Sequence, residues 1–506
     1  MLTQQKFRQF GLMTPILTDC IPEQFNFGKV KGRNVIANFK GGTLTSDGGL
    51  VLVAELDKKR QITARFAECF TDYRCQGYVE HSVTDLVAQR VYGLIQGYED
   101  LNDHDKLRAD PVFAIALGKL SHTESKTVLL AGKSTLNRLE YCPETVIDQT
   151  DSRYHRISHN PKRIEKLLVE LFLESYRQPP RSIVLDLDVT DDQVHGSQEQ
   201  TFFNTYYGGI CYAPLYIFCG HHLLAAKLRP SNVDPASGAL EELQRVIGLI
   251  REQWTQTQIL IRGDSAYSRD EIMSWCEAQT GVDYVFGLAT NNQLRMRADD
   301  VIKKAIADYE QRLSPATSFL EQLFQPEEDL TVVEEIVPGS VWYRSLCYKT
   351  QASWSRSRRV VTKVAYDSQG LKMRFVVTSL KASKIPPAKL YTEKYCPRGE
   401  MENRIKEQQL ELFSDRTSTH TFEGNQLRLW FSAIAYVLMQ AFRASCLART
   451  PLATATVGTI RILLLKLGAR VLSSVRRVLI SISSSCPYQD IFAIAYQRIQ
   501  ALPASG

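Results

Sequence analysis

The stretch from Ser182 to Leu288 restricts the fold more than any other part of the chain. It opens with SIVLDLDVT (182–190), a short apolar run rich in β-branched residues. Two more strand-like runs, ICYAPLYIFCG and HHLLAAKLR, come next with a turn between them. A helix is expected from Gly238 to about Gln253, then a strand in QILIRGD that ends at Asp264. Ser268 and Glu271 form a capping box for another helix, and VDYVFGL (282–288) is a further strand. Three adjacent strands followed by strand–helix alternation predict an α/β fold with a mixed sheet covered by helices.

The rest of the chain frames this block. Residues 1 to about 60 look extended and turn-rich, with Gly41-Gly42 and Gly48-Gly49 as breakers. From about 61 to 177 the periodicity is helical. In TDLVAQRVYGLIQGY, for example, Thr84 is the expected N-cap and Leu86, Val87, Val91 and Leu94 follow at helical spacing. A helix is expected near 297–312, then an acidic stretch (Glu327 to Glu335), a basic strand-like segment at 341–374, and helical texture again from about 398. The apolar helix Leu429–Phe442 is fourteen residues long, short of the roughly 20 needed to span a bilayer, and reads as a core helix. The expected organisation is therefore 1–177, 178–290, 291–385 and 386–506. With 506 residues, 44% hydrophobic and 23% charged, the chain has an ordinary globular composition. Its formal net charge of +6 is mild, so any nucleic-acid binding must rest on a local patch. Eleven scattered cysteines, without C-x-x-C pairs or zinc spacing, favour a reducing cytosol over a disulfide framework. The N-terminus lacks the apolar stretch of a signal peptide.

Carboxylates stand where chemistry would need them. By alternation Asp186 and Asp188 share one face of their strand, opposite Leu185, Leu187 and Val189. Gly263-Asp264 ends a second buried strand just before a helix, the position where α/β sheets place ligand sites. In YCPRGEMENRIKEQQ, a helix starting near Arg398 sets Arg398, Glu402, Lys406 and Gln409 along one face. Phosphodiester chemistry needs an activated water or 3′-hydroxyl and a neutralised leaving oxygen, which two hard divalent ions held by Asp and Glu can supply. Taken singly, each segment also reads as a strand leaving the core, a Gly-Asp turn or an exposed salt-bridged helix. Residues 341–374 hold eight Lys/Arg, among them Arg356, Arg358 and Arg359, against Asp367 alone. Trp342 and Trp354 are interleaved, so the segment reads either as a DNA-binding surface or as a solvated basic strand. Two other signals are set aside. Gly132-Lys133-Ser134-Thr135 lacks the first glycine of a phosphate-binding loop, Thr127 standing there, and reads better as a helix with Ser134 as N-cap, either contacting DNA or purely structural. His195, His221 and His222 have no ligand-spaced partners and read as structural.

Tyr395, Arg398 and Glu402 make the pattern Y-x2-R-x3-E, and the chain here resembles bacterial insertion-sequence transposases of the YREK-signature group. Asp188-Val189-Thr190 and Gly263-Asp264-Ser265 resemble their first and second aspartate contexts. FKGGTLTSDGGLVLVAELDKK and VLDLDVTDDQVHG resemble the thirteen-eighty insertion-sequence family in particular, over about residues 20 to 490. The resemblance implies an RNase H-like catalytic core, for which the strand order above is suited. It also implies a β-rich domain inserted among the 137 residues between Asp264 and Glu402, and a mainly helical N-terminal region that binds DNA ends. Asp188, Asp264 and Glu402 would be the catalytic, metal-binding triad for two Mg²⁺ ions, with Mn²⁺ as a substitute, and Asp186 is a rival for the first position. Tyr395 and Arg398 would contact transposon-end DNA. Gln409 stands where the signature has lysine, and Lys406 is the candidate replacement. Trp342 or Trp354 would stack on a flipped base. The implied function is cut-and-paste transposition of an element bounded by terminal inverted repeats, by a homodimer in the bacterial cytoplasm. The alternatives are a nuclease of the same fold without strand transfer and a non-catalytic DNA-binding descendant.

Overall fold

The computed structural model describes residues 24–119, 129–144, 156–323 and 337–503. Thr127, the acidic run at 327–335 and the chain's first residues lie outside these. Small elements come first: the hairpin β1 (Phe25–Val30) and β2 (Arg33–Ala37), then β3 (Leu44–Thr45), and the pair β4 (Phe70–Asp72) and β5 (Ile157–His159). The central block supplies β6 (Ser182–Val189), β7 (Asp192–Gln193), β8 (Phe202–Asn204), β9 (Gly209–Tyr212), β10 (Leu215–Cys219), β11 (His222–Lys227), β12 (Gln258–Gly263) and β13 (Val282–Leu288). Three long strands come after it, β14 (Ser340–Tyr348), β15 (Arg358–Asp367) and β16 (Gly370–Thr378), and β17 (Ala469–Ser473) and β18 (Val478–Ile482) join β3 in a small sheet.

Eight strands form one mixed sheet in the order β11-β10-β6-β12-β13-β16-β15-β14. β10 and β11 run antiparallel in a meander beside β6, while β12 is parallel to β6 and β13 parallel to β12. The fold is thus the expected mixed α/β. The segment expected as an insertion is hydrogen-bonded into the same sheet, through the antiparallel pairing of β16 with β13.

Alternation decides which side each strand residue faces. Leu185, Leu187, Leu215 and Ile217 pack with the helices Ala239–Gln253 and Asp270–Ala278 on one face. Tyr216, Phe218, Leu223 and Ala226 pack on the other face against the helix Phe422–Cys446, whose residues also contact those of Leu50–Arg60 and Val83–Ile95. The N-terminal and C-terminal helices therefore share one core. The helix Phe422–Cys446 is long and apolar enough by composition to cross a membrane, but 78% of its apolar window is buried inside the protein, which makes it a core helix. A buried carboxylate ties this core together: Glu140 accepts from Arg90 at 2.5 Å and from Arg428 at 2.8 Å.

Several local expectations are corrected. The extended reading of the first 60 residues fails from Leu50 onward, where Leu50–Arg60 is a buried helix. It starts after Gly49 because only a glycine tolerates the approach of Leu464, whose carbonyl oxygen lies 2.0 Å from where a Cβ would sit. The cap of Val83–Ile95 is Ser82, not Thr84, because Ser82 and Asp85 exchange backbone hydrogen bonds as a capping box. Ser268 does not cap its helix: its hydroxyl donates to the Ser265 carbonyl at 2.8 Å, and Arg269 occupies the cap position. The helix Lys133–Glu140 begins at Gly132 rather than Ser134, with the Lys133 amide donating to Asp105. It buries Leu136, Leu139 and Glu140, a structural role. The helix expected at 297–312 runs further, from Asp299 to Leu323.

Asp186 turns away from solvent on β6 and accepts from two nitrogens of Arg262 on β12, at 2.6 and 2.8 Å. Arg262 also donates to the Lys394 carbonyl at 3.0 Å, so the pair clamps the segment before Tyr395 onto the strands. Removing one partner of a buried pair strands a charge and typically costs about 3–5 kcal/mol. Asp186→Ala is accordingly expected to lose about that much in urea unfolding, and a paired Asp186→Leu/Arg262→Met variant to recover most of it. A single variant as stable as the wild type would show that the clamp is dispensable.

Candidate active site at the strand ends

The register of two parallel strands builds the site. Asp186 lies opposite Arg262 in the β6–β12 ladder, so Asp188 and Asp264, each two residues further on, leave the sheet at the same level. Adjacent strands lie about 4.8 Å apart. Beyond β12 the Asp264 carboxylate accepts from the Ala266 amide at 2.9 Å and caps a short turn, Ser265–Tyr267. Next to it, Gly287 of β13 keeps the surface flat: a Cβ there would lie 2.8 Å from the Tyr395 hydroxyl and 2.9 Å from the Ser265 amide. Tyr395 thus rests over the end of β13 beside Asp264.

The third segment comes down on these ends as one continuous helical stretch. A π-helical turn (Leu390–Tyr395) leads through a 3₁₀ turn (Cys396–Gly399) into the helix Glu400–Lys406, and another π-turn (Glu407–Glu411) completes it. Arg398 donates to Asp188 at 2.9 Å and lies 3.8 Å from Glu402, one turn along. Its guanidinium is half-buried, and burial works against its charge. Asp188, Tyr395, Asp264 and Glu402 outweigh that and hold it firmly protonated. Asp188 sits in the same field: burial pushes its carboxyl up to about 6, with Asp264 and Glu402 adding to the rise and Arg398 opposing it. The structure therefore gathers Asp188, Asp264, Tyr395, Arg398 and Glu402 into one electrostatic neighbourhood. Among the described residues no three His, Cys, Asp or Glu side chains are grouped closely enough to hold a metal ion, and Arg398 supplies the positive charge between Asp188 and Glu402.

Other candidates fall elsewhere. Asp186 is committed to Arg262, which removes it as a rival for the first aspartate. The single helical face expected for Arg398, Glu402, Lys406 and Gln409 is broken by the π-turn after Lys406, since a wider turn rotates the residues beyond it. Lys406 is exposed, while Gln409 is buried and donates to the Asp192 carboxylate at 2.8 Å and to the Asp191 carbonyl at 2.9 Å. Asp192 is fully buried, and burial pushes it up to about 8. The Gln409 amide, donating to that carboxyl, works against the rise. Trp354 is buried against Tyr348 with the Arg358 guanidinium over its ring, and Arg358 pairs with Asp270 and Glu277. Arg359 donates to the Leu380 and Ile385 carbonyls and to Ser345. Trp354, Arg358 and Arg359 thus hold the sheet together, which corrects their assignment to a DNA surface. Trp342 is 40% exposed with its indole nitrogen 3.3 Å from Asp308, and Arg356 is exposed beside Glu277. His222 packs on Phe172 and Tyr176, a structural role as expected. Sequence reasoning missed the hairpin of β8 and β9, although FFNTYY (202–207) puts four aromatics in six residues.

An acidic, arginine-bridged site at the ends of parallel strands characterises the protein. Residues 27–504 match the family described as transposase DDE domain group 1, and the chain belongs to that family. No curated protein matches the sequence significantly. In structure the chain is similar to the piggyBac transposase of a synaptic complex with hairpin DNA, with a TM-score of 0.37 and 10% identity over 90% of this chain and 81% of that one.

The Asp188 shift makes a prediction for the free protein. An acid whose pKa is raised by folding contributes most stability below its ordinary value near 4 and loses that contribution as pH rises through about 6. In the absence of divalent ions, Asp188→Asn is therefore expected to be more stable than the wild type near pH 7.5, by up to about 3 kcal/mol, with no gain near pH 4. Thermal unfolding across that range measures it, and a destabilised Asp188→Asn at pH 7.5 would contradict the electrostatics described.

Proposed function

We propose that the chain is an insertion-sequence transposase of the YREK-signature group, similar to the thirteen-eighty family, which cleaves DNA at terminal inverted repeats and joins the freed ends to a target. The sheet order supports an RNase H-like core: a three-stranded meander (β6, β10, β11) with two further strands, β12 and β13, added parallel beside the first. On this reading the residues between β13 and the Tyr395 segment are an insertion that has merged its strands with the core sheet. The helices before β6 form the end-binding region. The observation that carries the proposal is the β6–β12 register, which brings Asp188 and Asp264 level beneath the Arg398–Glu402 turn.

The donor set fits hard divalent cations, since it is all carboxylate and Asp264 and Glu402 add to the raised proton affinity of Asp188. Asp188, Asp264 and Glu402 would hold two Mg²⁺ or Mn²⁺ ions, which when bound supply the Lewis acidity that activates water or a 3′-hydroxyl and neutralises the leaving oxygen. The protein's own groups bind and orient. Arg398 neutralises Asp188 and Glu402 in the free protein and turns to a backbone phosphate once those carboxylates are otherwise neutralised. Lys406, exposed one turn beyond Glu402, reaches the same strand of DNA, and Tyr395 positions the end beside Asp264. Two ends must be cut together, so a homodimer is the working assembly, acting on DNA in the cytoplasm.

The test is an assay with labelled DNA from the flanks of the coding region and a plasmid target. Asp188→Ala, Asp264→Ala and Glu402→Ala are each expected to lower cleavage by at least about 10³-fold while end binding persists. Joined product in the wild type supports transposition, whereas cleavage without joining supports a nuclease. Cleavage that survives Asp188→Ala would refute the site.

A further inference from the structure

The ribbon that carries Asp188 does not stop at the catalytic end of the sheet. Asp188 lies opposite Tyr216 in the β6–β10 ladder, and the same two chain segments pair again beyond it, Asp192 opposite Tyr212 and Gln193 opposite Cys211. β8 then adds to β9, with Phe203 opposite Ile210. At about 3.3 Å per residue, the Phe203–Ile210 rung stands no more than about 20 Å past Asp188, and the half-buried Tyr207 phenol in the turn beyond it is pushed up by burial, with the charges of Asp191 and Asp188 adding to the rise.

The hairpin presents bare aromatic surface. Phe203 is 65% exposed, Tyr206 87% and Ile210 46%, where water would normally select polar residues. The backbone that carries the rings is pinned by hydrogen bonds. Asn204 accepts from the Tyr206 and Tyr207 amides at 2.9 and 3.3 Å, and its amide donates to the Ser231 carbonyl at 2.7 Å. Ser231 donates in turn to the Phe202 carbonyl at 2.8 Å. Gly208, at φ +70°, closes the turn, and Tyr206 meets Tyr207 edge-on at 5.0 Å. From Phe202 to Ile210 the segment has no charged side chain, so it suits neither a phosphate nor an ionic partner. Flat, neutral, exposed rings suit nucleobases.

We propose that the β8–β9 hairpin is a stacking platform for unpaired bases of the DNA end, with Tyr206 and Phe203 as its faces. The proposal rests on the reading that the neighbouring carboxylates cut DNA. It moves the base-stacking role expected of Trp342 or Trp354 to a different part of the fold, since Trp354 is buried and the Trp342 indole is tied to Asp308. Opening the last base pairs would let the strand approach Asp188 while the freed bases rest on the rings.

The experiment uses the full chain and a duplex made from the DNA flanking the coding region, with 2-aminopurine near the cleavage site. A second duplex carries mismatches there. Wild-type protein is expected to change the 2-aminopurine emission on binding, and the Phe203→Ala/Tyr206→Ala variant to lose that change. That variant is expected to cut the paired duplex about tenfold to a hundredfold more slowly and the mismatched duplex within about twofold of wild type, while Tyr206→Phe behaves as wild type. Equal rates for variant and wild type on paired DNA, or an equal loss on both duplexes, would overturn the proposal. So would an altered oligomeric state with the base signal unchanged, which would make the hairpin a protein contact. If wild-type protein changes the base signal but cuts neither duplex, the platform stands and the catalytic reading falls.

Discussion

Asp186 and Arg262 meet in a buried bidentate pair across two parallel strands, and the site's geometry descends from it. The pair occupies one rung of the β6–β12 ladder, so it holds the register that brings Asp188 and Asp264 to a common level. The third donor of Arg262, spent on the Lys394 carbonyl, ties a segment from 132 residues later in the chain to the same rung. A one-residue slip between β6 and β12 would turn one carboxylate into the core. The cost of burying two charges is offset by hydrogen bonds that leave neither without a partner.

Above this clamp, like charges crowd. Asp188, Asp264 and Glu402 share one field, and burial adds to their repulsion at Asp188. The free protein manages this with an internal cation, Arg398, which is half-buried among them. Such a site stores unfavourable electrostatics in the uncomplexed state, which is common where groups are arranged for function. Tyr395 over Gly287 completes the wall beside Asp264, and the exposed Glu402 and Lys406 leave the outer side open to a large substrate.

Much of this was legible in the residues. The strands and the helix between Ser182 and Leu288 follow from apolar runs and their breakers, and their boundaries agree closely with β6, β11, β12 and β13, whereas the run ICYAPLYIFCG merges β9 with β10. The Y-x2-R-x3-E spacing correctly sets Arg398 beside Glu402 in the helical stretch. The misses have physical causes. Caps were misplaced where a neighbouring serine or glycine had the better backbone geometry, as at Ser82 and Gly132. The basic segment 341–374 read as a DNA surface because sequence alone does not reveal that Asp270 and Glu277 reach Arg358, or that carbonyls reach Arg359. Period-two alternation correctly placed Asp186 and Asp188 on one face, yet only the β12 register separates a structural aspartate from a candidate catalytic one. The π-turn after Lys406 could not be foreseen from spacing, and it is what buries Gln409 against Asp192.

Asp188, Asp264 and Glu402 must close on shared divalent ions when Arg398 lets go, or the proposed chemistry has no seat. Anomalous diffraction from crystals of the protein with bound end DNA and Mn²⁺ tests this most directly. The expected result is manganese density touching the carboxylates of Asp188 and of both partners, with Arg398 moved from Asp188 to a phosphate. Manganese bound elsewhere, with Arg398 still on Asp188, would contradict it.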